Sequence, residues 1–453
     1  MTVQDFFVTP IYILLVYLVA FLFYKSATDQ YTRKYYFPAL TLKIVGALAI
    51  GFVYQFYYNG GDTFNYFHHG SKYIYKAFTE NPSAAFQLLF SRGEFNPETY
   101  KYAQHIWYYR DAASFFVVKV AGFFDILTFH TYSATAVLFA GTTFTGIWAL
   151  FKAFYKIFPA LHKHFAIACF FLPSVFFWGS GLMKDPITLA ALCWLTACVI
   201  GIFRFRKNLL INSIVALLMA MILAHVKIYI LMSFIPAVLI WLAIEQLHHI
   251  KSVVIKSLVF PFVILISAGV MYIGVKKVGE DSPRYSLEKI SQTAEVTARW
   301  ISYVSETEGG AGYSLGDYDY TITGMIKKFP QAVWVSLFRP HPWEIKNPLM
   351  LLSGVESLFF LGLTVRLFFV NKTKKIITAL KKDPIITFCL VFSVIFAFAV
   401  GISTYNFGSL ARYKIPLMPF YLMAIFMISH QVKLIKNKKR ERILRMLEQM
   451  NAS

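Results

Sequence analysis

The chain has few charged residues for its length. Of its 453 residues, 15% are Asp, Glu, Lys or Arg, whereas a soluble protein of this size carries roughly 25%. Hydrophobic residues make up 57% of the chain and form long uninterrupted runs. Together these features exclude an ordinary soluble domain and predict a protein that crosses a membrane several times. Because the runs are continuous rather than alternating, the spanning elements are predicted to be helices.

Cysteine and acidic residues are also scarce. The four cysteines all fall inside predicted spans, which argues for packing roles and against a disulfide framework or metal site. Basic residues exceed acidic ones, 44 to 23, giving a net charge of +21. Most of the excess lies in short loops beside spans and in the tail, so it indicates membrane topology and no nucleic-acid partner. A His-Glu-x-x-His motif and a convincing Gly-x-Ser-x-Gly nucleophile context are missing, which argues against an intramembrane protease.

The hydrophobic runs predict an all-α, polytopic membrane helix bundle with about eleven transmembrane helices. An integral membrane domain, residues 1–432, is followed by a basic cytoplasmic tail, residues 433–453. The predicted spans are residues 8–24, 37–57, 131–154, 165–183, 186–203, 208–225, 228–245, 257–275, 348–370, 385–403 and 415–432.

Basic residues set the predicted orientation. Every Lys- and Arg-rich loop, and the tail, falls on the same side of the eleven-span arrangement. By the positive-inside rule that side is cytoplasmic, which puts the N-terminus outside and the C-terminus inside. Two long segments, 58–130 and 276–347, then face outside. Within the first, amphipathic stretches such as 112–127 are predicted to be interfacial helices.

The first outer segment opens with Gly60-Gly61-Asp62. A carboxylate just outside the bilayer is suited to a general base or a metal ligand. If a helix starts at Thr63, then Asp62, Tyr66 and His69 lie on one face. The alternative is that Asp62 only caps this helix and the glycines only form a turn.

Lys184-Asp185 lies between two spans that almost touch in sequence, in a stretch where glycines and Pro186 interrupt the helix. Charge at membrane depth is costly unless it is paired or used. Either the two residues neutralise each other, or Lys184 binds a lipid phosphate. His225-Val226-Lys227 is predicted to be an interfacial anchor, and Lys43 is expected to extend to the membrane surface.

Two later stretches combine basic and aromatic residues with proline. The first holds Arg339, His341, Trp343 and Glu344, where arginine suits a phosphate and tryptophan a sugar face. Glu356 then lies about 12 Å inside the ninth span, where an acid faces protein or a cavity. The second stretch, Arg412-Tyr413-Lys414-Ile415-Pro416, opens the eleventh span and suits a phosphate-facing helix terminus or an interfacial anchor.

The topology places these polar clusters on one membrane face, as in a membrane-embedded active site. The chain resembles the GT-C-type integral membrane glycosyltransferases, which use polyprenyl-phosphate sugar donors. The resemblance rests on Asp62 and Tyr66 in the first large outer loop and on the Arg-Tyr-x-x-Pro-x-x-Pro-like stretch from Arg412 to Pro419. The string Gly61 to Tyr66 is also similar to bacterial exopolysaccharide polymerases.

This resemblance implies a bacterial inner-membrane enzyme with a periplasmic active site. Asp62 would activate an acceptor hydroxyl, while Arg339, Arg412 and Lys184 would hold the carrier phosphate of the donor. The acceptor would be a glycan, lipid or protein. The chain departs from the family in having one extra span before the acidic loop and no second acid beside Asp62. The sequence names no metal site and does not require a divalent cation, so the cofactor is unknown.

Two other functions fit a polytopic protein of this kind. A transporter or flippase for lipid-linked glycans is expected to show inverted repeats and charges near the membrane midplane. The chain shows no such repeat, and its charges cluster at one surface. A non-catalytic envelope scaffold would tolerate changes at Asp62, Arg339 and Arg412 alike.

Overall fold

The computed structural model describes residues 2–249, 311–316, 319 and 321–452, with isolated residues between 261 and 303. Regular structure in these residues is helical, with one isolated β-bridge between Gly312 and Asn406. The predicted all-α class is confirmed. The chain divides into two compact units, Met1–Leu231 and Met232–Ser453, called unit 1 and unit 2 below.

Unit 1 is built around one long central helix, Tyr132–Ile157 (α8). Val3–Ala27 (α1), Arg33–Phe56 (α2) and Lys184–Ile200 (α11) pack against it. Its helices are α1 Val3–Ala27, α2 Arg33–Phe56, α3 Asp62–Tyr66, α4 Lys72–Glu80, α5 Pro82–Phe90, α6 Pro97–Ala103, α7 Ala112–Leu127, α8 Tyr132–Ile157, α9 His162–Phe170, α10 Pro173–Trp178 and α11 Lys184–Ile200, followed by the first part of α12 Leu209–His249.

The predicted outer segment 58–130 folds as a layer of short helices from α3 to α7. Local sequence signals fix several of their starts: the Asn96 side chain caps α6 before Pro97, and the Asp111 side chain caps α7. The helix predicted at 112–127 is present as α7. One side of α7 is buried against α4, α5 and α8, so this layer is joined to the spanning helices by packing.

In unit 2, helix Pro384–Ser403 (α17) packs against Phe329–Phe338 (α14) and Leu417–Ala452 (α19). Helix Pro348–Val370 (α15) packs against α14, α19 and Phe407–Tyr413 (α18). Caps again mark helix starts, because the side chains of Asn347 and Asn406 accept backbone N–H groups of α15 and α18. The helices of this unit after α12 are α13 Ile322–Lys327, α14 Phe329–Phe338, α15 Pro348–Val370, α16 Thr373–Lys382, α17 Pro384–Ser403, α18 Phe407–Tyr413 and α19 Leu417–Ala452.

Eight helices of the described residues are long and apolar enough to cross a membrane, which agrees with a multi-pass membrane protein. Seven of them coincide with one predicted span each. The eighth, Leu209–Leu247, covers the two spans predicted at 208–225 and 228–245. It belongs to a helical segment of 41 residues whose backbone departs from helical geometry at Lys227.

The span predicted at 165–183 is wrong as a single helix. The chain forms α9 and α10 there, then an irregular stretch that ends at Met183. Pro173 starts α10 as its first residue, and Gly181 adopts a positive φ of 67° that breaks the helix again. The span predicted at 257–275 and most of the outer segment 276–347 lie outside the described residues.

Small residues allow the spanning helices to approach closely. A Cβ atom on Gly146 of α8 would overlap the backbone of Ala190 in α11. Similarly, a Cβ atom on Gly401 of α17 would overlap the backbone of Ala332 in α14. Close backbone approach of this kind is typical of helix association in membranes, where packing replaces the hydrophobic effect as the driving force.

Candidate functional site

The turn Gly60-Gly61 places Asp62 at the start of α3. Both glycines adopt positive φ angles, 134° and 120°, which other residues rarely adopt. Gly61 occupies the N-cap position, and Asp62 is the first residue inside the helix. The alternative that Asp62 serves as the cap is therefore wrong. Its carboxylate instead lies partly exposed in the first turn of α3.

A π-helical turn at Phe67–Ser71 interrupts the helix after Tyr66. The helix predicted to start at Thr63 begins at Asp62, and the π-turn follows directly after Tyr66. Tyr66 is 3% exposed and packs its ring against Tyr108 at 5.1 Å. The His69 ring stacks on Trp107, the neighbour of Tyr108, with ring centroids 3.7 Å apart. The backbone N–H of Trp107 donates to the His69 carbonyl oxygen at 3.1 Å.

His68 and His69 of this turn line part of a cavity of about 580 Å³ beside Asp62. The lining consists of three amides, two imidazoles, one phenyl ring and two glycines: Gln55, Asn59, Asn65, His68, His69, Phe64, Gly60 and Gly61. Burial lowers the pKa of His68, and the nearby His130 lowers it further. An ordinary histidine titrates near 6.5, so His68 is neutral at pH 7. The described lining is thus rich in hydrogen-bonding groups.

Asp62 belongs to a cluster of five charged residues. Lys184 Nζ is 3.7 Å from Asp111 Oδ2, and Lys184 also interacts electrostatically with Asp62, Asp185 and Lys227. Asp185 forms an ion pair with Lys227, in which the two side chains are 1% and 8% exposed. The explanation that Lys184 and Asp185 serve only to neutralise each other is therefore wrong. So is the prediction of an interfacial anchor at Lys227.

Asp111 is the carboxylate that holds Lys184. Burial raises its pKa, but hydrogen bonds from Ser114 and Ala113 and the charge of Lys184 outweigh burial, so its pKa lies below the ordinary value. Asp111 is therefore ionised at neutral pH. Since it also caps α7, it ties the ammonium group of Lys184 to the helix layer that carries the cavity.

Lys43 supports the irregular stretch before Lys184. Its side chain is 5% exposed inside α2, and Nζ donates to the Gly179 carbonyl oxygen at the C-terminal end of α10. A cation at a helix C-terminus satisfies a carbonyl oxygen that has no helical partner. The expectation that Lys43 extends to the membrane surface is wrong, because its ammonium group is used inside the helix bundle.

A buried polar cluster of Asp125, Ser71 and His130 supports the π-turn. Asp125 is fully buried, and its Oδ2 accepts from Ser71 Oγ and pairs with His130 Nδ1, each at 2.9 Å. The His130 ring lies between Phe67 and Tyr75, at centroid distances of 4.6 and 5.5 Å. Burial raises the pKa of Asp125, although both hydrogen bonds oppose the shift. This polar cluster fixes the turn that presents His68 and His69.

In unit 2, Arg339 is engaged by Glu344. Its Nε donates to both carboxylate oxygens at 3.0 and 3.1 Å, and its Nη2 also donates to Oε1. The guanidinium group lies 5.1 Å from the Phe407 ring centroid and 5.8 Å from that of Tyr313. The edge that would grip a phosphate with two hydrogen bonds is thus occupied by Glu344. Phosphate binding there requires the remaining Nη1 edge or displacement of Glu344.

A buried lysine lies behind this pair. Lys414 is 2% exposed, and its Nζ donates to the Arg339 carbonyl oxygen and to Ser357 Oγ, both at 3.1 Å. Burial lowers its pKa to about 8, an effect that the carboxylate of Glu356 opposes. Glu356 is itself 3% exposed, as expected for an acid inside a span. Lys414 therefore joins the start of α19 to the Arg339 segment.

The other predicted residues of unit 2 are more exposed. Trp343 is 81% exposed, and its ring lies 4.9 Å from that of His341. The Arg412 guanidinium lies 6.0 Å from the ring of its neighbour Tyr413. A cavity of about 560 Å³ is lined partly by Arg339, together with Lys328, Gln331 and Trp334, none of which was singled out from the sequence.

Each unit therefore brings some of the predicted residues together. Asp62, Lys184 and Asp185 share one electrostatic cluster in unit 1, while Arg339, Glu344 and Glu356 lie around Lys414 in unit 2. Sequence reasoning gave no role to Asp111, which pairs with Lys184. The described residues contain no group of three or more His, Cys, Asp or Glu side chains arranged to hold a metal ion.

No family model, no curated protein and no solved structure matches this chain.

Proposed function

We propose that this protein is a bacterial inner-membrane glycosyltransferase. It moves a sugar or glycan unit from a polyprenyl phosphate or diphosphate carrier to an acceptor at the periplasmic face. The product belongs to a cell-envelope polysaccharide or glycoconjugate. The orientation, N-terminus outside and C-terminus cytoplasmic, follows from the basic loops.

The observation that carries this proposal is the position of Asp62. It directly follows Gly61, which lines a roomy cavity of amides and imidazoles, and it interacts electrostatically with Lys184. A cavity lined by hydrogen-bonding groups suits a hydroxyl-rich sugar, whose many donors and acceptors need partners when they leave water. The ammonium group of Lys184 suits an anionic leaving group.

The chemistry requires one proton acceptor and one site for negative charge. As an acceptor hydroxyl attacks the anomeric carbon, its proton passes to the Asp62 carboxylate. The bond between that carbon and the carrier oxygen breaks, and the carrier phosphate leaves with the electron pair. A cation placed where this charge develops stabilises the transition state more than the bound substrate. Lys184 is the cation in the Asp62 cluster.

The experiment that tests this proposal compares lipid-linked glycans in cells of the source organism. Cells carrying Asp62→Asn are compared with wild type at matched protein levels, and the extracted lipids are identified by mass spectrometry. We expect one carrier-linked glycan to accumulate in the variant. Glu80→Gln is the matched control, because Glu80 belongs to the same outer layer but lines neither the cavity nor the charged cluster.

The location of the accumulated glycan separates a transferase from a flippase. A transferase defect leaves the glycan on the outer leaflet, where a membrane-impermeant oxidant added to spheroplasts modifies it. A flippase defect leaves it on the inner leaflet, protected from that reagent. An unchanged lipid profile with intact cell-surface glycan contradicts both activities and favours a scaffold.

A further inference from the structure

A second cavity lies in the outer layer of unit 1, apart from the Asp62 cavity. Its volume is about 510 Å³, and residues of α5, α6 and the loop between them line it. Four planar polar side chains and two phenyl rings dominate the lining: Gln87, Arg92, Glu94, Asn96, Phe90 and Phe95. One acid and one base balance each other in this group. Phe90 is 84% exposed, although its ring is apolar.

The loop 91–96 that forms this cavity is held in one conformation. Tyr109 donates its hydroxyl to the Glu94 carbonyl oxygen at 2.7 Å, and Lys119 Nζ donates to the Ser91 carbonyl oxygen at 3.0 Å. Gly93 adopts a φ of 94°, and a Cβ atom there would overlap the Tyr109 carbonyl oxygen. A polar surface loop that is fixed in advance loses little conformational entropy when it binds a ligand.

One short segment, residues 107–110, supports both cavities. Trp107 stacks on His69, and Tyr108 accepts a hydrogen bond from Asn65; both partners line the Asp62 cavity. The next residue, Tyr109, holds the loop of the second cavity, and Arg110 lies 5.1 Å from the Phe95 ring centroid. Successive Cα atoms are about 3.8 Å apart. The supports of the two cavities are therefore neighbours in space.

We infer that the second cavity binds sugar residues of the same glycan whose reacting end occupies the Asp62 cavity. The acceptor is then an oligosaccharide or a growing polysaccharide, rather than a single sugar, a lipid or a protein. This assignment rests on the proposed glycosyl transfer for the role of the glycan, but the binding itself does not depend on catalysis.

The chemistry of the second cavity favours an uncharged saccharide. Amide, carboxylate and guanidinium groups are planar and present paired donors or acceptors, which match adjacent hydroxyl groups on a sugar ring. Exposed aromatic faces pack against the C–H faces of such a ring. Because Arg92 and Glu94 balance each other, the lining gives neither an anion nor a cation a net electrostatic attraction. Trp107, which is 63% exposed with one face on His69, offers a further ring surface in the supporting segment.

The test measures saccharide binding to the full-length protein in nanodiscs by saturation-transfer-difference NMR. The probes are oligomers of glucose, galactose and N-acetylglucosamine, each from two to six residues long. We expect at least one series to bind, with affinity rising as the chain lengthens. Phe90→Ala and Glu94→Gln should weaken binding of the longest oligomer at least fivefold and leave the dimer unchanged. Asn65→Ala, in the Asp62 cavity, should weaken both.

Phe86→Ala is the matched control. Phe86 lies one turn before Phe90 on α5 and is 56% exposed, but it does not line the cavity. If the exposed rings of α5 serve only to enter lipid, both phenylalanine variants will behave alike, which overturns the assignment. Absence of binding to every oligomer overturns it as well. Full binding together with a fully active Asp62→Asn protein would instead refute the proposed transferase and leave the saccharide site standing.

Discussion

The buried ion pair between Asp185 and Lys227 gives the sharpest stability prediction. Asp185 lies in the first turn of α11, and Lys227 occupies the non-helical position of α12. Replacing Asp185 with asparagine keeps the shape but leaves the Lys227 ammonium group buried without its counter-charge. We expect this substitution to destabilise unit 1 strongly, because removing one partner of a buried pair strands the other charge.

The magnitude follows from burial. With side-chain exposures of 1% and 8%, this pair is desolvated, and breaking such a pair costs about 3–5 kcal/mol. The Lys184–Asp111 pair provides the contrast within the same cluster. It is longer, 3.7 Å, and Asp111 is 53% exposed there, so Asp111→Asn should cost less than about 1 kcal/mol. The double variant Asp185→Leu with Lys227→Met should recover most of the loss, since a well-packed apolar pair often replaces a buried ion pair without penalty.

Unfolding in mixed micelles with increasing SDS provides the measurement. The cysteines of unit 1, Cys169, Cys193 and Cys198, are buried, so reaction with a fluorescent maleimide reports unfolding directly. Equal unfolding midpoints for wild type and Asp185→Asn would refute the reasoning. So would equal losses for Asp185→Asn and Asp111→Asn, because burial would then have no influence on the cost.

Three further predictions follow from packing, titration and stacking. Gly146→Ala should destabilise the protein by about 1–3 kcal/mol in the same SDS titration, since the added Cβ atom would overlap Ala190. Gly362→Ala is the control and should be neutral or stabilising, because a Cβ atom there meets open space. The folded-state pKa of His68 lies below its unfolded value near 6.5, so the protein should become less stable as the pH drops below 6.5. His68→Gln should reduce that loss in urea titrations at successive pH values. We expect a small effect, because His68 retains contact with solvent. Trp107→Ala should raise the acceptor KM about threefold to tenfold with little change in kcat, because a stacked aromatic pair contributes about 0.5–1.5 kcal/mol. Trp107→Phe, which keeps a ring, should restore most of the affinity for the acceptor. An unchanged KM in Trp107→Ala would contradict a binding role for this stack.

The fold was largely predictable because apolar length is a strong signal. Nine predicted spans fall on the eight long helices, and the segment 58–130 has the helix expected at 112–127. The failures have specific causes. Residues 165–183 are apolar enough for a span, but Pro173 and Gly181 divide them into shorter pieces. A hydropathy pattern measures composition and does not weigh such breaks.

The site was predictable only in part, because its pairings join distant positions. Asp62 and Lys184 were identified as polar groups at span ends, and they do share a cluster. The π-turn was not predictable from local sequence, since its contacts include a hydrogen bond from the backbone N–H of Trp107 to the His69 carbonyl oxygen, 38 residues away in sequence. A signal for Lys227 did exist, because a lysine within a long apolar stretch needs a partner when it is buried. Its partner, Asp185, is 42 residues away.

The central claim is that Asp62 takes the proton in an outer-face sugar transfer. The most direct measurement gives the carrier-linked glycan that accumulates in Asp62→Asn cells to purified protein in proteoliposomes. With an oligosaccharide acceptor on the outside, wild type and Glu80→Gln should consume the glycan, while Asp62→Asn binds the acceptor normally and slows turnover by about 10²-fold or more. Full turnover by Asp62→Asn would contradict the claim.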